Sequence, residues 1–149
     1  MNNFSSESIQ FIITDIWDVG SIVTLYKEAG WWKDEYHPDE IPEFIRASFR
    51  FCVGVHQPDG ETVATGRIIS DGISTGIIQD ICVLKKFRGQ GIGHNLLAFL
   101  IKTARDAGLF RIILVAEPGT SPFYEQSEFI ADKDKIFLLY QKGRDNEDT

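Results

Sequence analysis

Covalent and metallic staples are nearly absent from this chain. Of 149 residues only Cys52 and Cys82 are cysteine, and each lies far from the other in an apolar stretch. They read as reduced packing residues, not as a disulfide framework or a zinc set. Histidine is equally sparse: His37, His56 and His94 show no His-Glu or His-His ligand spacing, so no metal is implied. No apolar run approaches the roughly 18 residues that would span a bilayer. The start from Met1 to Glu7 lacks the basic opening of a secretion signal, and a cytoplasmic protein without a membrane partner is the expectation. Basic residues are outnumbered 15 to 22, for a net charge of −7. With no basic face or arm, a nucleic-acid partner is not expected.

What is present suits one folded domain. A chain of this length buries roughly 68–70% of its unfolded surface without disulfides or metal. Its 43% hydrophobic and 25% charged residues are ordinary for a globular protein. No linker, repeat or low-complexity run divides it. The expected organisation is a single domain over residues 1–142 and a polar tail over 143–149.

Ile9 to Ile13 reads as a first strand, and Asp15 as the cap of a helix carrying Ile16, Val19, Ile22, Val23, Tyr26 and Ala29, ended by Gly30. An aromatic loop from Trp31 to Pro38 comes next. A short helix is expected from Ile41 to Ser48, and strands from Phe49 to His56, Thr62 to Ile69 and Ser74 to Val83. The turns Gln57-Pro58-Asp59-Gly60 and Asp71-Gly72 separate these strands. A longer helix carries Leu96, Leu97, Leu100, Ile101 and Ala104, and Gly108 stops it. Arg111 to Ala116 reads as a strand, Pro122 to Ser127 as a short helix, and Ile136 to Tyr140 as a closing strand. The expected class is α+β, a mixed, mostly antiparallel sheet of about six to seven strands flanked by about four helices on both faces.

One segment carries most of the chemical information. Ile77-Ile78-Gln79-Asp80-Ile81-Cys82-Val83 is a strand that feeds Leu84-Lys85-Lys86-Phe87-Arg88-Gly89-Gln90-Gly91-Ile92-Gly93 and then a helix. The first amides of a helix have no intrahelical acceptor and sit at its positive end, so together they suit a phosphate. The nucleotide-triphosphate loop requires Gly-Lys-Ser/Thr, where this chain has Gly93-His94-Asn95. The dinucleotide pattern Gly-x-Gly-x-x-Gly does not fit the alternating Gly89, Gly91 and Gly93. Lys85, Lys86 and Arg88 are expected to give the loop a positive patch on an acidic body, because more distant charges are screened beyond about 8 Å.

Arg88-Gly89-Gln90-Gly91-Ile92-Gly93 resembles the Arg/Gln-x-x-Gly-x-Gly/Ala signature of the GNAT superfamily of acetyl-coenzyme A dependent N-acetyltransferases. Pro122-Phe123-Tyr124-Glu125-Gln126-Ser127-Glu128-Phe129 is similar to that family's downstream Phe-Tyr-Glu-Lys-x-Gly-Phe. The resemblance implies acetyl-CoA as co-substrate, its pyrophosphate on the amides of Arg88, Gly89, Gln90, Gly91, Ile92 and Gly93. It also implies that Ile81, Cys82 and Val83 pair with pantetheine as a pseudo-strand, that Phe123 packs on the cofactor, and that Tyr124 is the acid that protonates the leaving thiolate. Trp31, Trp32 and Tyr36 would line an acceptor pocket with Gln79 and Glu117. The acceptor is a small-molecule or peptide amine, and a homodimer is an available assembly for which the sequence marks no interface.

The chain departs from the family pattern at two positions: Glu117 stands where many members have asparagine, and Glu128 replaces a glycine. Glu128 is expected to avoid positive φ. No residue is marked as the base. Gln79 and Ile77 cannot serve, alternation aims Asp80 at the opposite face unless a bulge intervenes, and Glu117 and His37 are loop candidates. Direct transfer in a ternary complex is the expected activity; a non-catalytic acyl-CoA binding or sensing domain is the alternative.

Overall fold

The computed structural model describes residues 8–141; the N-terminal start and the tail over 143–149 lie outside them. One sheet runs in the order β1 (Ile9–Ile13), β2 (Arg50–His56), β3 (Glu61–Ile69), β4 (Thr75–Val83) and β5 (Arg111–Ile113). Neighbouring strands are antiparallel except β4 and β5, which are parallel. Four helices accompany it: α1 (Val19–Glu28), α2 (Ile41–Ala47), α3 (Ile92–Asp106) and α4 (Ser121–Glu125). The mixed α+β class stands, but the sheet has five strands instead of six to seven. Ile136 to Tyr140 is not a strand, and its side chains are 58–84% exposed. β5 pairs with β4 over three residues only, so the expected run to Ala116 ends at Ile113. An edge that short offers little ladder for another strand to join. No helix among the described residues is long and apolar enough to cross a membrane.

Both faces of the sheet are covered. Gly66 and Arg67 are consecutive on β3 and therefore point to opposite sides. On the Gly66 side, Leu100 of α3 stands 3.0 Å from where a Cβ would be, and Phe99 meets Phe11 of β1 at 5.6 Å. On the Arg67 side, the guanidinium lies 3.9 Å from the centre of the Phe44 ring of α2, and Phe44 also meets Phe51 of β2 edge-on. The largest fully buried side chains come from both layers: Ile22 and Leu25 of α1, Ile45 of α2, and Leu96, Leu97 and Leu100 of α3. The first helix starts later than expected. Asp18, not Asp15, is its cap, its carboxylate accepting from the Ser21 amide at 2.9 Å, while Ile16 stays outside the helix and 73% exposed.

β4 departs from regular geometry at two places. Thr65 pairs with Cys82, but Arg67 pairs with Gln79. One residue of β3, Gly66, is thus matched by two of β4, which makes a β-bulge at Asp80 and Ile81. Asp80 takes φ of 61°, the left-handed conformation that a bulge usually reserves for glycine. Past Ile77 the strand also loses β5, since pairing covers only Thr75 to Ile77. From Ile78 to Val83 its outer flank is unpaired.

Gly66 lies opposite the bulge, and a Cβ there would sit 3.2 Å from Ile81 as well as 3.0 Å from Leu100. Gly66→Val is expected to destabilise the fold by about 1–3 kcal/mol through overpacking, read from the shift in chemical denaturation midpoint. A neutral result would mean that α3 does not press on the bulge.

Candidate active site

Three clefts meet around β4, and Trp31 lines all of them. The first, about 810 Å³, runs from the glycine loop to α4. The second, about 520 Å³, lies in the gap between the diverging β4 and β5. The third, about 410 Å³, opens between α1, α2 and the bulge. The second shares Trp31, Gln79 and Asp80 with the third, and Trp31, Ile81, Thr120 and Tyr124 with the first.

The loop cleft contains Ile81, Cys82, Val83, Arg88, Gly89, Gly91, Ile92, Gly93 and Phe123. Gln90 is the exception among the expected cofactor residues: it does not border the cleft, and its side-chain carbonyl is buried without a hydrogen-bond partner. Gly91 caps α3 with φ of 84°, and no side chain caps the helix. A residue with a Cβ is strained in that conformation. The amides from Gly89 to His94 donate to no group among the described residues, which leaves an open row at the positive end of a 15-residue helix. Gly93 serves packing instead, because a Cβ there would meet the Phe123 ring at 3.3 Å. Phe123 in turn stacks on His94 with centroids 4.1 Å apart.

The positive patch is smaller than expected. Lys86 pairs with Glu61 at 3.0 Å, and the Lys85 amide donates to the Glu28 carboxylate at 2.8 Å. Carboxylates distant in sequence thus reach the turn Lys85–Phe87, and neither lysine borders the cleft. Arg88 does, with its Nε donating to the Val83 carbonyl at 3.0 Å. That contact occupies one acceptor at the free end of β4. Burial pushes both the Cys52 and Cys82 thiols up to about 12, so neither is a thiolate nucleophile near neutral pH.

Tyr124 borders the loop cleft and the gap. Phe123 and Phe129 hold its ring edge-on from two sides, at 5.0 and 6.2 Å. Burial, and secondarily the charge of Glu117, raises its phenol above the ordinary value of 10. The hydroxyl therefore keeps its proton throughout the physiological range. Glu117 borders the gap but neither of the other clefts. Glu128 contradicts the expectation that it avoids positive φ, taking φ of 70° in the turn that brings Phe129 back onto Tyr124. The Phe129 amide donates to the Tyr124 carbonyl at 3.3 Å, and the contacts made by Phe129 hold the turn in that form.

Trp31, Trp32, Tyr36 and Gln79 share the third cleft with His37. Six further residues border it: Tyr26, Glu40, Ile41, Phe44 and Arg67, which the sequence does not mark for it, and Asp80, which it places there only through a bulge. Strand alternation hides Asp80, since a regular β4 would turn it toward α3. The bulge lets Gln79 and Asp80 face the same cleft. Asp80 accepts from Arg67 Nε at 2.7 Å. Arg67 also reaches Ser48 at 3.4 Å and stacks on Phe44, so the guanidinium that holds the carboxylate is itself held from two sides. Tyr26 is 7% exposed and its hydroxyl has no hydrogen-bond partner. Its phenol is raised first by burial and then by the Asp80 charge. The one sequence signal for this group is Asp80 beside Gln79 in a strand that ends at a functional loop.

A family profile described as "Acetyltransferase (GNAT) family" matches residues 16–129. Among curated proteins, glucosamine 6-phosphate N-acetyltransferase of Trypanosoma brucei brucei is 31% identical over 94 residues, 59% of this chain and 62% of the relative. Serotonin N-acetyltransferase 2, chloroplastic, of Oryza sativa subsp. japonica is 32% identical over 125 residues, 80% of this chain and 60% of the relative. The chain spans 41–62% of the length of such curated relatives. A crystal structure of a Trypanosoma brucei acetyltransferase superposes with a TM-score of 0.72, covering 89% of this chain and 99% of that one at 24% identity. One of an acetyltransferase from Deinococcus radiodurans gives 0.74 at 22% identity, covering 95% of this chain and 94% of that one. At these identities the structural likeness establishes the fold.

The left-handed bulge generates a paired prediction. Asp80→Ala and Asp80→Gly both leave Arg67 without its carboxylate, but only glycine relieves the backbone strain. The glycine variant is expected to be the more stable of the two by about 1–2 kcal/mol, measured by urea unfolding. Equal stabilities would show that Asp80 is not left-handed in solution.

Proposed function

Because this chain belongs to the GNAT acetyltransferase family, we propose that it moves the acetyl group of acetyl-coenzyme A directly to a primary amine. The reading is carried by one arrangement: a cleft with an open row of helix-start amides at one end and a protonated phenol at the other. The residues present fit the co-substrate. The amides from Gly89 to Gly93 meet its phosphates, each contact contributing about 0.3–1 kcal/mol. The free flank of β4 from Ile81 to Val83 offers backbone groups to an extended chain, less the Val83 carbonyl that Arg88 holds. Phe123, braced by Gly93 and His94, forms an apolar wall.

Acetyl-CoA brings the activated acyl group; the chain supplies position and protons. Tyr124 donates its proton to the departing sulfur. Asp80 borders both the third cleft and the gap, which makes it the carboxylate placed to take the amine's proton. His37 borders only the third cleft and Glu117 only the gap. Neither buried cysteine has the ionisation needed for an acyl-enzyme, so transfer is direct. The primary amine is what the acceptors in the two relatives' names have in common.

Thiol release followed across an amine panel, beside calorimetric binding of acetyl-CoA, tests this. Tyr124→Phe is expected to lower kcat by about 10²- to 10⁴-fold with cofactor affinity nearly unchanged. Since the folded-state phenol lies above 10, the alkaline limb that reports it lies above that pH and disappears in the variant. Tight binding with no thiol release from any amine would instead make this a sensing domain.

A further inference from the structure

We propose that the acceptor is a monocationic arylalkylamine, its ammonium received by Asp80 and its flat apolar body by the aromatic wall of the third cleft. This rests on the transfer reading above and narrows it.

Charge decides against anionic acceptors. Asp80 and Glu40 border the cleft with the single guanidinium of Arg67, which leaves one net negative charge when His37 is neutral. The positive charge is already committed. Arg67 has a side chain only 14% exposed, with Asp80 on its Nε, Ser48 at its Nη1 and Phe44 beneath it. A phosphate or carboxylate entering here meets no uncommitted guanidinium or ammonium among the lining residues. A monocation completes the balance, because Asp80 uses only one of its two oxygens on Arg67.

The wall decides against a hydroxylated body. Trp31, Trp32, Tyr36 and Phe44 surround the opening, with Trp32 and Tyr36 edge-to-face at 5.5 Å. Such a wall favours ring stacking and contact with a cation. A polyhydroxylated acceptor needs a hydrogen-bond partner for each group it buries. The ring faces of Trp31, Trp32 and Phe44 accept no ordinary hydrogen bond, so hydroxyls laid against them stay unpaired. A volume of about 410 Å³ suits a single small ring and its side chain.

The test compares kcat/KM for four acceptors at saturating acetyl-CoA: 2-phenylethylamine, phenylalanine, n-hexylamine and glucosamine 6-phosphate. Phenylalanine differs from 2-phenylethylamine by one carboxylate, and hexylamine keeps the charge without the ring. The expected order puts 2-phenylethylamine about 100-fold above the two anion-bearing amines and about 3- to 10-fold above hexylamine. In Asp80→Asn the gap between 2-phenylethylamine and phenylalanine narrows at least tenfold, since a negative charge is lost and Arg67 is released. A merely structural lesion would lower both rates and leave their ratio alone, and an unchanged ratio overturns the assignment. Phenylalanine or glucosamine 6-phosphate matching 2-phenylethylamine also overturns it, while the thiol released keeps the transfer reading. If no amine releases thiol, the transfer reading falls. Quenching of tryptophan fluorescence then judges the pocket: stronger binding of 2-phenylethylamine than of phenylalanine supports it, and the reverse order overturns it.

Discussion

The extra residue in β4 is the constraint on which this site is built. By placing Asp80 and Ile81 against Gly66 alone, it shifts the facing of the strand by one position, so that Gln79 and Asp80 open onto one cleft. Bulges bend and twist their strand, and here the strand also parts from β5 after Ile77. One insertion therefore coincides with a carboxylate turned toward the proposed amine site and with a backbone edge left unpaired. A left-handed non-glycine residue is costly, and Asp80 is held there by an ion pair to a guanidinium that is itself fixed by Phe44 and Ser48.

Backbone and side chain divide the work between the two ends of the loop cleft. In the transfer reading proposed above, phosphate binding falls to amides, which hold their positions because the helix does. The lysines that flank the loop in sequence do not line the cleft: Lys86 pairs with Glu61, while it is the backbone amide of Lys85 that is tied to Glu28. An acidic protein can thus offer a local anion site through dipoles and a single arginine, with its carboxylates used to shape the turn. At the other end the acid role proposed for Tyr124 needs a proton and not a charge, and its half-buried setting beside Glu117 keeps the phenol protonated.

Legibility tracks the range of the interaction that fixes each feature. The glycine loop is readable because strand, turn and helix are consecutive and Gly91 must be left-handed. The aromatic loop is readable as a pocket wall for the same reason, since Trp31, Trp32 and Tyr36 are neighbours. Asp80 is readable only on condition of a bulge, because a bulge is set by pairing with a strand that lies elsewhere in the sequence, Arg67 being 13 residues away. Arg67 and Tyr26 are invisible as site residues, since each reads as an ordinary strand or helix position until Asp80 turns toward it. The closing strand fails for a different reason: Ile136 to Tyr140 has strand composition, but β5 is too short to receive it. Glu128 shows the reverse case, where tertiary contacts on Phe129 override the local preference against positive φ.

The same pairing that hides Asp80 in the sequence underlies the selectivity proposed for the third cleft. Asp80 is paired with a guanidinium that also borders the cleft but is engaged by Asp80, Ser48 and Phe44. In the proposed acceptor site that carboxylate keeps one oxygen outside the ion pair. An incoming ammonium would be attracted by it, while an incoming anion would meet its repulsion and a guanidinium already paired. Selectivity of this kind would come from the commitment of the one guanidinium to the carboxylate, and that pairing is set by one bulged residue in the middle of the sheet.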